Sequence, residues 1–350
     1  MRVPPGFRVT SFANGLKSPR WLLALPNGDV LVTECYQGRI VLMRDTDHGG
    51  KADVKHAFLK DLDLPFGMAL QAGYLYVAET NKVVRFPFTA GDDAPSGPGE
   101  TVVAGIPSRG YRQHWTRNIL FEPDGKHFYL TVGSETDKSP EKPPRAAVMR
   151  FSADGKEREV WATGLRNPVG MAFNPTTKSL WAVVQERDRL GDDLVPDYLA
   201  EIREDAFYGW PFAYLGQNED PRRKGERPDL VAKATMPDVL FQAHSSSLGL
   251  VFYEGKMFPE EYRGDAFVAF HGSWNRSKRT GYKVVRVRFK DGRPVGGYDD
   301  FCVGWMLGED VKEVWGRPVG LLVLADGSLL VVDDGANCVW RIAYSAAQGN

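Results

Sequence analysis

The stretch GMAFNPTTKSLWAVVQE (Gly170–Glu186) decides the fold, because related stretches recur along the whole chain. It starts with a glycine and a short apolar run, crosses a polar turn and finishes with a second apolar run. Five other stretches have the same order of features: WLLALPNGDVLVTE (Trp21–Glu34), GMALQAGYLYVAE (Gly67–Glu79), NILFEPDGKHFYLTVGS (Asn118–Ser134), a longer copy between Gly249 and Ser273, and GLLVLADGSLLVVDD (Gly320–Asp334). A unit that recurs in this way predicts a repeat architecture.

The chemistry of each copy favours antiparallel strands. The turns PNGD, PDGK and ADGS place Asn, Asp and Gly where a tight hairpin needs a positive φ angle. Most copies continue into a further apolar strand, such as NKVVRFPF or YKVVRVRF, and helical periodicity is almost absent. The sequence therefore predicts an all-β fold, a six-bladed β-propeller of four-stranded antiparallel blades, as one domain over residues 1–350. A two-domain β-sandwich is disfavoured because the repeat continues without a linker.

The composition limits the partners of the chain. Hydrophobic residues make up 43% and charged residues 25% of its 350 residues, and the formal net charge is -1. We therefore expect a packed core and no general nucleic-acid or anionic-membrane partner. No apolar run approaches the roughly 18 residues of a transmembrane helix. The three cysteines, Cys35, Cys302 and Cys338, lack the CxxC spacing of a structural zinc site. We expect buried, inert thiols, with one disulfide as the alternative.

The segments just before the repeats are rich in arginine and histidine. In a propeller such segments gather at one face, and this face is the place to expect chemistry. The residues concerned are Arg20, His114, Arg117, Arg166, His244 and Arg317, and the insertion after the fifth copy adds His271, Trp274, Asn275, Arg276 and Lys283. Converging cations repel one another unless an anion lies between them, so we expect an anionic ligand. The alternative is that each arginine only bonds loop carbonyls. The chain has no Gly-rich phosphate loop, which disfavours a nucleotide cofactor.

A charged loop follows the strand of Gly170–Glu186. It reads ERDRLGDD and offers main-chain oxygens and carboxylates, the ligands that a hard cation prefers. A solvated acidic loop is the alternative interpretation. Asp192 and Asp193 are expected to orient arginine side chains rather than to bind metal.

Five motifs carry a resemblance to a known family: GLRNPVG, ERDRLGDDLVPDY, FYGWPFAY, HSSSLGLVFY and HGSWNRSKRTGYKVVRV. With them the chain resembles the soluble glucose/sorbosone dehydrogenases, six-bladed propellers that use pyrroloquinoline quinone (PQQ) and calcium. The L-sorbosone dehydrogenase-like branch, which is related to fungal pyranose dehydrogenases, is the most similar. The resemblance extends over nearly the whole chain.

The resemblance implies a set of site residues. It makes His114 the catalytic base and Arg166 and Asn167 the contacts of the quinone. Cofactor contacts are further expected from Arg276, with Lys283 as the weaker candidate, from Arg317, and from Trp274 or Trp115 as a stacking ring. Main-chain oxygens around Arg187 and Asp188 are expected to hold calcium. His244 and His271 are expected to have structural hydrogen-bonding roles.

The implied reaction is a PQQ- and calcium-dependent oxidation of a sugar or keto-sugar, such as an aldose or a sorbosone-type aldehyde hydrate. His114 would take a hydroxyl proton, a hydride would pass to the quinone, and Arg166 would stabilise the developing negative charge. No CxxCH haem motif is present, so electrons are expected to leave to a separate acceptor, a cytochrome or a quinone.

Two other functions remain open at this point. The first is a calcium-dependent lactonase or esterase, which needs carboxylate and Asn side chains directed at a central calcium ion. The second is a non-catalytic interaction platform. The N-terminal segment MRVPPGFRV lacks the apolar region of a signal peptide. This indicates either a cytoplasmic protein or a chain that starts at a processed end, and the resemblance implies the periplasm.

Overall fold

The computed structural model describes residues 1–108, 114–308 and 310–345 and confirms the six-bladed β-propeller. Strand β1 (Phe7–Ala13) precedes the first blade. Blade 1 comprises β2 (Pro19–Ala24), β3 (Val30–Glu34), β4 (Arg39–Arg44) and β5 (Val54–Leu59), and blade 2 comprises β6 (Met68–Gln71), β7 (Tyr74–Ala78), β8 (Val83–Pro87) and β9 (Glu100–Val103). Blade 3 comprises β10 (Ile119–Phe121), β11 (His127–Val132), β12 (Ala147–Ser152) and β13 (Arg158–Thr163).

The second half of the chain builds the remaining blades and two insertions. Blade 4 contains β14 (Asn167–Phe173), β15 (Leu180–Gln185), β16 (Tyr198–Glu201) and β20 (Val239–Leu240). An insertion between β16 and β20 contains β17 (Ala206–Phe207), β18 (Ala213–Tyr214), β19 (Asn218–Glu219) and α1 (Pro228–Val231). Blade 5 contains β21 (Ser247–Phe252), β22 (Ala266–Phe270), β23 (Lys283–Val287) and, after the hairpin β24 (Phe289–Lys290) and β25 (Arg293–Pro294), strand β26 (Asp299–Cys302). Blade 6 contains β27 (Pro318–Val323), β28 (Leu329–Asp333) and β29 (Cys338–Tyr344). Short 3-10 turns lie at Cys35–Gln37, Pro221–Arg223 and Glu260–Tyr262.

The N-terminal strand closes the ring. β1 pairs antiparallel with β29, with Phe7 opposite Tyr344 and Val9 opposite Ile342, and so becomes the outermost strand of blade 6. The last copy of the repeat has only three strands of its own. The pairing of β1 with β29 therefore ties the chain that continues into blade 1 to blade 6, and Phe7 packs against Phe301 of blade 5 and Tyr344 of blade 6.

Glycines allow the innermost strands to approach each other around the central channel. A Cβ atom would lie 2.4 Å from the oxygen of Leu248 at Gly170, 2.3 Å from that of Val319 at Gly249 and 2.6 Å from that of Arg20 at Gly320. No side chain fits at these distances, which explains why the first residue of these copies is glycine. Asn118 takes this place in blade 3 and donates a hydrogen bond to the oxygen of Val169 in blade 4.

The innermost strand of each blade is its first strand, and all innermost strands begin at the same face of the propeller. Three long loops lie on this face, grouped on one side of it. Because neighbouring strands are antiparallel, the loops between the second and third strand of every blade also lie on this face. They span residues 133–146, 186–197 and 271–282 in blades 3, 4 and 5, but only 35–38, 79–82 and 334–337 in blades 1, 2 and 6. Among the described residues, the loops between second and third strands therefore form a higher wall on the side of blades 3 to 5 than on the side of blades 1, 2 and 6.

The structure also shows the state of the cysteines and the character of the helices. Cys35, Cys302 and Cys338 are buried and unpaired, and burial raises the pKa of each thiol to about 12, as expected for inert cysteines. Across the part of the chain that the structure describes, no helix has the length and apolar character needed to cross a membrane.

Candidate functional site

A polar cavity of about 170 Å³ lies at the mouth of the central channel, between blades 3, 4 and 5. Its walls come from the segments before the innermost strands and from the long loops of these blades. The lining residues are His114, Arg166, Gln185, Glu186, Asp188, Asp197, His244, Ser246, Trp274 and Asn275. The structure thus brings four predicted site residues, His114, Arg166, Asp188 and Trp274, to one cavity.

The imidazole of His114 has a defined orientation. Its Nδ1 atom lies 2.9 Å from the main-chain oxygen of Ser134 and 3.0 Å from the Ser134 hydroxyl oxygen. That hydroxyl donates its own hydrogen to the main-chain oxygen of Thr136. Because a carbonyl oxygen can only accept, Nδ1 must carry the hydrogen, and Nε2 of the neutral ring is left with a free lone pair. Burial, and then the positive charge of Arg166, lower the pKa of His114 well below its usual range.

Gly133 allows His114 and Asn167 to pack together at the end of β11. A Cβ atom at this position would lie 2.3 Å from Oδ1 of Asn167 and 2.6 Å from Cβ of His114. Asn167 is buried and donates from Nδ2 to Oε1 of Gln185, at 2.8 Å. Its Oδ1 atom is buried without a hydrogen-bond partner among the described residues.

Arg166 is held by three partners. One Nη1 hydrogen bond goes to the main-chain oxygen of Glu186 at 2.6 Å, and Nη2 lies 3.1 Å from Oδ1 of Asp137 and 3.0 Å from Oδ2 of Asp188. Burial raises the pKa of Asp188, but the interaction with His244 and the charge of Arg166 outweigh this effect, so its net pKa is lowered. Asp188 is therefore an ionised partner of Arg166 at neutral pH.

Two buried carboxyl groups lie in the cavity wall: Glu186, the first residue of the ERDRLGDD loop predicted to offer ligands to a cation, and Asp197, which the sequence did not reveal. Burial raises the pKa of Glu186 to about 8 and that of Asp197 to about 6. Asp197 accepts hydrogen bonds from the main-chain N–H groups of Glu186 and Ser247, whereas Oε1 of Glu186 has no partner among the described residues. No spacing in the repeat marks Asp197, because it stands at the far end of a long loop.

Comparison with known proteins identifies the family. The TrAA12-like family model matches residues 1–198 and 223–345. The chain belongs to the TrAA12-like family.

The similarity to known proteins covers almost the whole chain. An uncharacterised protein of Borreliella burgdorferi is 25% identical to this TrAA12-like protein over 98% of the chain and 91% of its own length. Two solved structures share the fold. The calcium structure of the Trichoderma reesei Carbohydrate-Active Enzymes Family AA12 protein has a TM-score of 0.86 at 20% identity, covering 98% of this chain and 97% of that one. The holo form of the pyranose dehydrogenase PQQ domain from Coprinopsis cinerea has a TM-score of 0.83 at 21% identity, covering 98% and 96%.

Trp274 and Asn275 form the blade 5 wall of the cavity. The Trp274 side chain is 62% exposed and lies at the rim. Asn275 donates from Nδ2 to Oδ1 of Asp188 at 2.6 Å. An exposed indole beside a polar cavity is available to a flat ligand, as the sequence analysis expected of Trp274.

Arg187 lies outside the cavity in this TrAA12-like protein. Its guanidinium is buried and pairs with Asp220 through Nη1, at 2.9 Å. The sequence analysis expected the main-chain oxygens around Arg187 and Asp188 to hold calcium, and only the Asp188 part of this pair lines the cavity. That metal assignment stays a prediction.

Arg276 and Lys283 line a second cavity of about 480 Å³, together with Arg2, Lys278 and Arg279. Arg276 bonds the main-chain oxygen of Asp192 and, at 2.9 Å, Oδ1 of Asp193, which agrees with the expectation that these aspartates orient an arginine. Lys283 lies 2.5 Å from Asp300. The structure therefore places these two predicted cofactor contacts together, but not with His114.

Arg317 has the geometry of a structural arginine. It donates to the main-chain oxygens of His271, at 3.2 Å, and Gly272, at 3.1 Å. His271 in turn lies 2.9 Å from Asp334, which also pairs with Arg20. His244, the other histidine expected to be structural, lines the main cavity and donates from Nε2 to the oxygen of Gly191.

Carboxylates of the protein supply much of the negative charge that was expected from a ligand. Asp137 and Asp188 pair with Arg166, and Asp334 pairs with Arg20. Asp137 was also missed, because it lies in the 133–146 loop, where no motif was found. Converging arginines alone are therefore a weaker argument for an anion than the sequence suggested.

The polar groups of the cavity nevertheless fit the implied cofactors. Oδ1 of Asn167 and Oε1 of Glu186 are buried and have no hydrogen-bond partner among the described residues, and oxygen atoms of amide and carboxyl groups suit a hard cation. Nε of Arg166 is a buried donor without an acceptor, and Trp274 offers an exposed ring. Buried groups of both kinds in the wall of the cavity and, for Asn167, next to it are consistent with a bound metal ion and an acidic, aromatic ligand.

Proposed function

We propose that this protein is a PQQ- and calcium-dependent sugar dehydrogenase that oxidises a sugar or keto-sugar, such as an aldose or a sorbosone-type aldehyde hydrate. The observation that carries the proposal is the hydrogen bond from Nδ1 of His114 to the Ser134 carbonyl, which leaves Nε2 as a free base beside Arg166. Membership of the TrAA12-like family supports sugar oxidation in general. The similar fold of a carbohydrate-active enzyme solved with calcium and of a holo PQQ domain supports the two cofactors.

The proposal assigns the residues that would hold the cofactors. When bound, PQQ supplies the acceptor for a hydride, and calcium supplies a fixed positive charge. Arg166, Asn167 and Trp274 would hold the quinone, and oxygens around Arg187 and Asp188, with Glu186 beside them, would hold calcium. Arg276, Lys283 and Arg317 enter as cofactor contacts only through the family resemblance, because their side chains have other partners in the structure.

The residues of the chain would act at one hydroxyl group of the sugar. Nε2 of His114 would accept the proton of this hydroxyl group while a hydride leaves the carbon that bears the hydroxyl. The depressed pKa of His114 keeps the ring neutral at physiological pH, so that the base form is populated. Arg166, fixed by Asp137 and Asp188, presents a positive charge next to this base and stabilises negative charge that develops there.

Two further parts of the proposal concern the cellular setting. Electrons would leave to a separate acceptor, a cytochrome or a quinone, and the protein would work in the periplasm as a single domain over residues 1–350. Fractionation of cells that express the native gene tests the compartment: recovery only from the cytosol would overturn it.

Reconstitution tests the proposed reaction. Purified protein is incubated with PQQ and Ca²⁺, and reduction of an artificial electron acceptor is followed with a panel of aldoses and keto-sugars. We expect dye reduction that needs both PQQ and sugar and that EDTA abolishes. A protein that binds neither PQQ nor Ca²⁺, or that reduces no dye with any sugar, would contradict the proposal.

A calcium-dependent lactonase is the second candidate. Asn167 lies next to the cavity and Asn275 lies in its wall, where Glu186 and Asp188 also lie. Carboxylate and amide oxygens directed at one point are what such a hydrolase needs. Hydrolysis of lactones with Ca²⁺ and without PQQ would favour this function over the oxidation.

A further inference from the structure

An exposed aromatic pair lies on the open side of the channel mouth. Tyr36 is 53% exposed, and its ring centroid lies 5.6 Å from that of Trp115, the residue after His114. Trp115 is half-buried, packs edge-on against Phe66 at 5.8 Å and has the guanidinium of Arg20 5.5 Å from its ring. We call Tyr36 and Trp115 the aromatic platform.

The platform is held in place by main-chain contacts. Tyr36 lies in the 3-10 turn Cys35–Gln37, which Gly38 ends with a φ of 59°. The N–H of Gly38 bonds the oxygen of Cys35 at 3.0 Å, and the N–H of Leu62 bonds the oxygen of Gly38 at 2.9 Å. A Cβ atom on Gly38 would lie 2.5 Å from the oxygen of Leu62, so the turn is packed directly against the segment before blade 2. A pre-positioned ring loses little freedom when it binds a ligand.

The loops between second and third strands form less of a wall on this side. The corresponding loops of blades 1, 2 and 6 are short, whereas those of blades 3, 4 and 5 wall the cavity. The cavity of about 170 Å³ is small compared with typical ligand pockets of roughly 300–1,000 Å³. A substrate longer than one sugar ring would therefore extend from His114 toward blades 1 and 2, over the aromatic platform.

We propose that the aromatic platform binds the second ring of an oligosaccharide whose reducing-end unit is oxidised at His114. The inference rests on the proposed sugar oxidation and names its substrate class, a chain of two or more pyranose units. The apolar C–H face of a pyranose fits an exposed aromatic ring, and Tyr36 also offers a hydroxyl to the sugar hydroxyls.

Comparing glucose, which has one pyranose ring, with cellobiose, which has two, isolates the binding of the second sugar ring. For Tyr36→Ala we expect KM for cellobiose to rise roughly 2- to 12-fold, judged by the strength of other aromatic contacts, with kcat unchanged and KM for glucose unchanged. Tyr36→Phe should keep most of the affinity for cellobiose. Val295→Ala, which removes a side chain of equal exposure from the β24–β25 hairpin region, should change neither KM.

Calorimetric titration of cellobiose decides the inference without turnover. Weaker binding to Tyr36→Ala than to the wild type supports the aromatic platform even if the protein oxidises no sugar, in which case only the proposed reaction fails. Absent cellobiose binding, or equal binding by both proteins, would overturn the aromatic platform while leaving glucose oxidation untouched.

A different observation concerns the blade 4 insertion, residues 202–238. The family match leaves out residues 199–222, so more than half of this insertion lies outside the family match. The insertion contacts two of the three long loops that wall the cavity, 133–146 and 186–197. Trp210 donates from Nε1 to the oxygen of Asp137 at 3.1 Å, and Asp220 pairs with Arg187. Arg222 reaches Oδ2 of Asp137 with Nη1, at 3.1 Å.

Asp137 joins this insertion to the cavity. Its Oδ2 atom accepts from Arg222, and its Oδ1 atom accepts from Nη2 of Arg166 and from the main-chain N–H of Asp188, each at 3.1 Å. One carboxylate oxygen of Asp137 thus bonds the insertion, and the other bonds residues of the cavity wall. Arg222 is only 26% exposed, so this ion pair is screened less than a surface pair.

We infer that Asp137 and Arg222 are positioning residues that fix the guanidinium of Arg166 for the proposed oxidation. Without Arg222, Oδ2 of Asp137 loses this ion pair, and the orientation in which Oδ1 meets Nη2 of Arg166 is held less firmly. The effect should appear in kcat, because Arg166 is proposed to act on charge that develops during the reaction.

Neighbouring arginines provide a matched comparison. Arg222→Met should lower kcat about 10-fold with KM for the sugar nearly unchanged, and Arg222→Lys should recover part of the rate. Arg223→Met removes a side chain from the same 3-10 turn that bonds only the oxygen of Lys138 and Glu226, and it should leave kcat unchanged. PQQ affinity, measured from the absorbance of bound cofactor, should fall for Arg222→Met and not for Arg223→Met. Equal effects of the two methionine variants on both readouts would overturn the inference.

Discussion

The side-chain amide of Asn118 in blade 3 donates a hydrogen bond to the main-chain oxygen of Val169 in blade 4, at 2.9 Å. Both residues are buried at the central channel. At the corresponding position of blades 4, 5 and 6 the chain has glycine, and the innermost strands touch through their backbones. Asn118 therefore replaces a backbone contact between blades by a hydrogen bond.

We expect Asn118→Ala to destabilise the protein by about 1–3 kcal/mol, because the buried oxygen of Val169 loses its donor. The midpoint of urea unfolding measures the change. Asn218→Ala, at the exposed start of β19, where the amide bonds the oxygen of Leu215, is the control and should change stability by less than about 0.5 kcal/mol. Equal effects of the two substitutions would show that the contact between blades contributes nothing special.

The fold was predictable because its signals are local. The turn residues and the alternating apolar runs of each copy specify a hairpin without reference to the rest of the chain, and six such copies leave few architectures. The closure by β1 was not predicted, since it pairs Phe7 with Tyr344, at the opposite end of the sequence. Counting three strands in the last copy would have pointed to it.

The site was predictable only where it adjoins the repeat. His114 and Arg166 each stand just before an innermost strand, so the repeat itself brings them to the channel mouth. Arg276 lies in the 271–282 loop, and Asp137 lies in the 133–146 loop. The repeat does not determine the path of such long loops, which explains why Arg276 lies at a second cavity and why Asp137 was missed.

His114→Ala should lower kcat by about 10²–10⁴-fold, the usual contribution of a general base, and leave PQQ binding nearly unchanged. Dye-linked turnover measures the first effect and the absorbance of bound PQQ the second. His48→Ala, in an exposed loop of blade 1, is the control and should keep full activity. A His114→Ala protein with near wild-type rate would remove this residue from the mechanism.

The acid limb of the pH profile should lie below pH 6.5, the usual pKa of histidine, because burial and the charge of Arg166 lower the pKa of His114. A base acts only when unprotonated, so kcat/KM should stay constant as the pH falls toward 6.5 and decline only at lower pH. The profile is measured between the acid and neutral range with one sugar. An acid limb centred above pH 6.5 would mean that another group acts as the base.

Glu186→Gln should remove a pH dependence of stability. Burial raises the pKa of Glu186 from its usual 4.5 to about 8, so between these pH values the folded protein keeps a proton that the unfolded chain has released. Folding stability is therefore lost as the pH rises from about 4.5 to about 8, and glutamine, which does not titrate, should flatten this decline. Urea unfolding in EDTA at several pH values measures it, with exposed Glu157→Gln as the control. Parallel curves for Glu186→Gln and the wild type would contradict the raised pKa.

PQQ and Ca²⁺ together should raise the melting temperature, and each alone should raise it less. A ligand that binds only the folded state stabilises it by mass action, by about 2.7 kcal/mol at a concentration 100 times its Kd. Glu186, whose Oε1 has no hydrogen-bond partner among the described residues, lines the same cavity as Arg166, so the cation and the acidic cofactor are expected to reinforce each other's binding. Thermal melts with PQQ, with Ca²⁺, with both, and with both plus EDTA separate these contributions.

Arg166→Met should lose the joint effect, whereas His114→Ala should keep it, because the proposed role of His114 is in proton transfer rather than in cofactor binding. A melting temperature that saturating PQQ and Ca²⁺ leave unchanged would count against both cofactors.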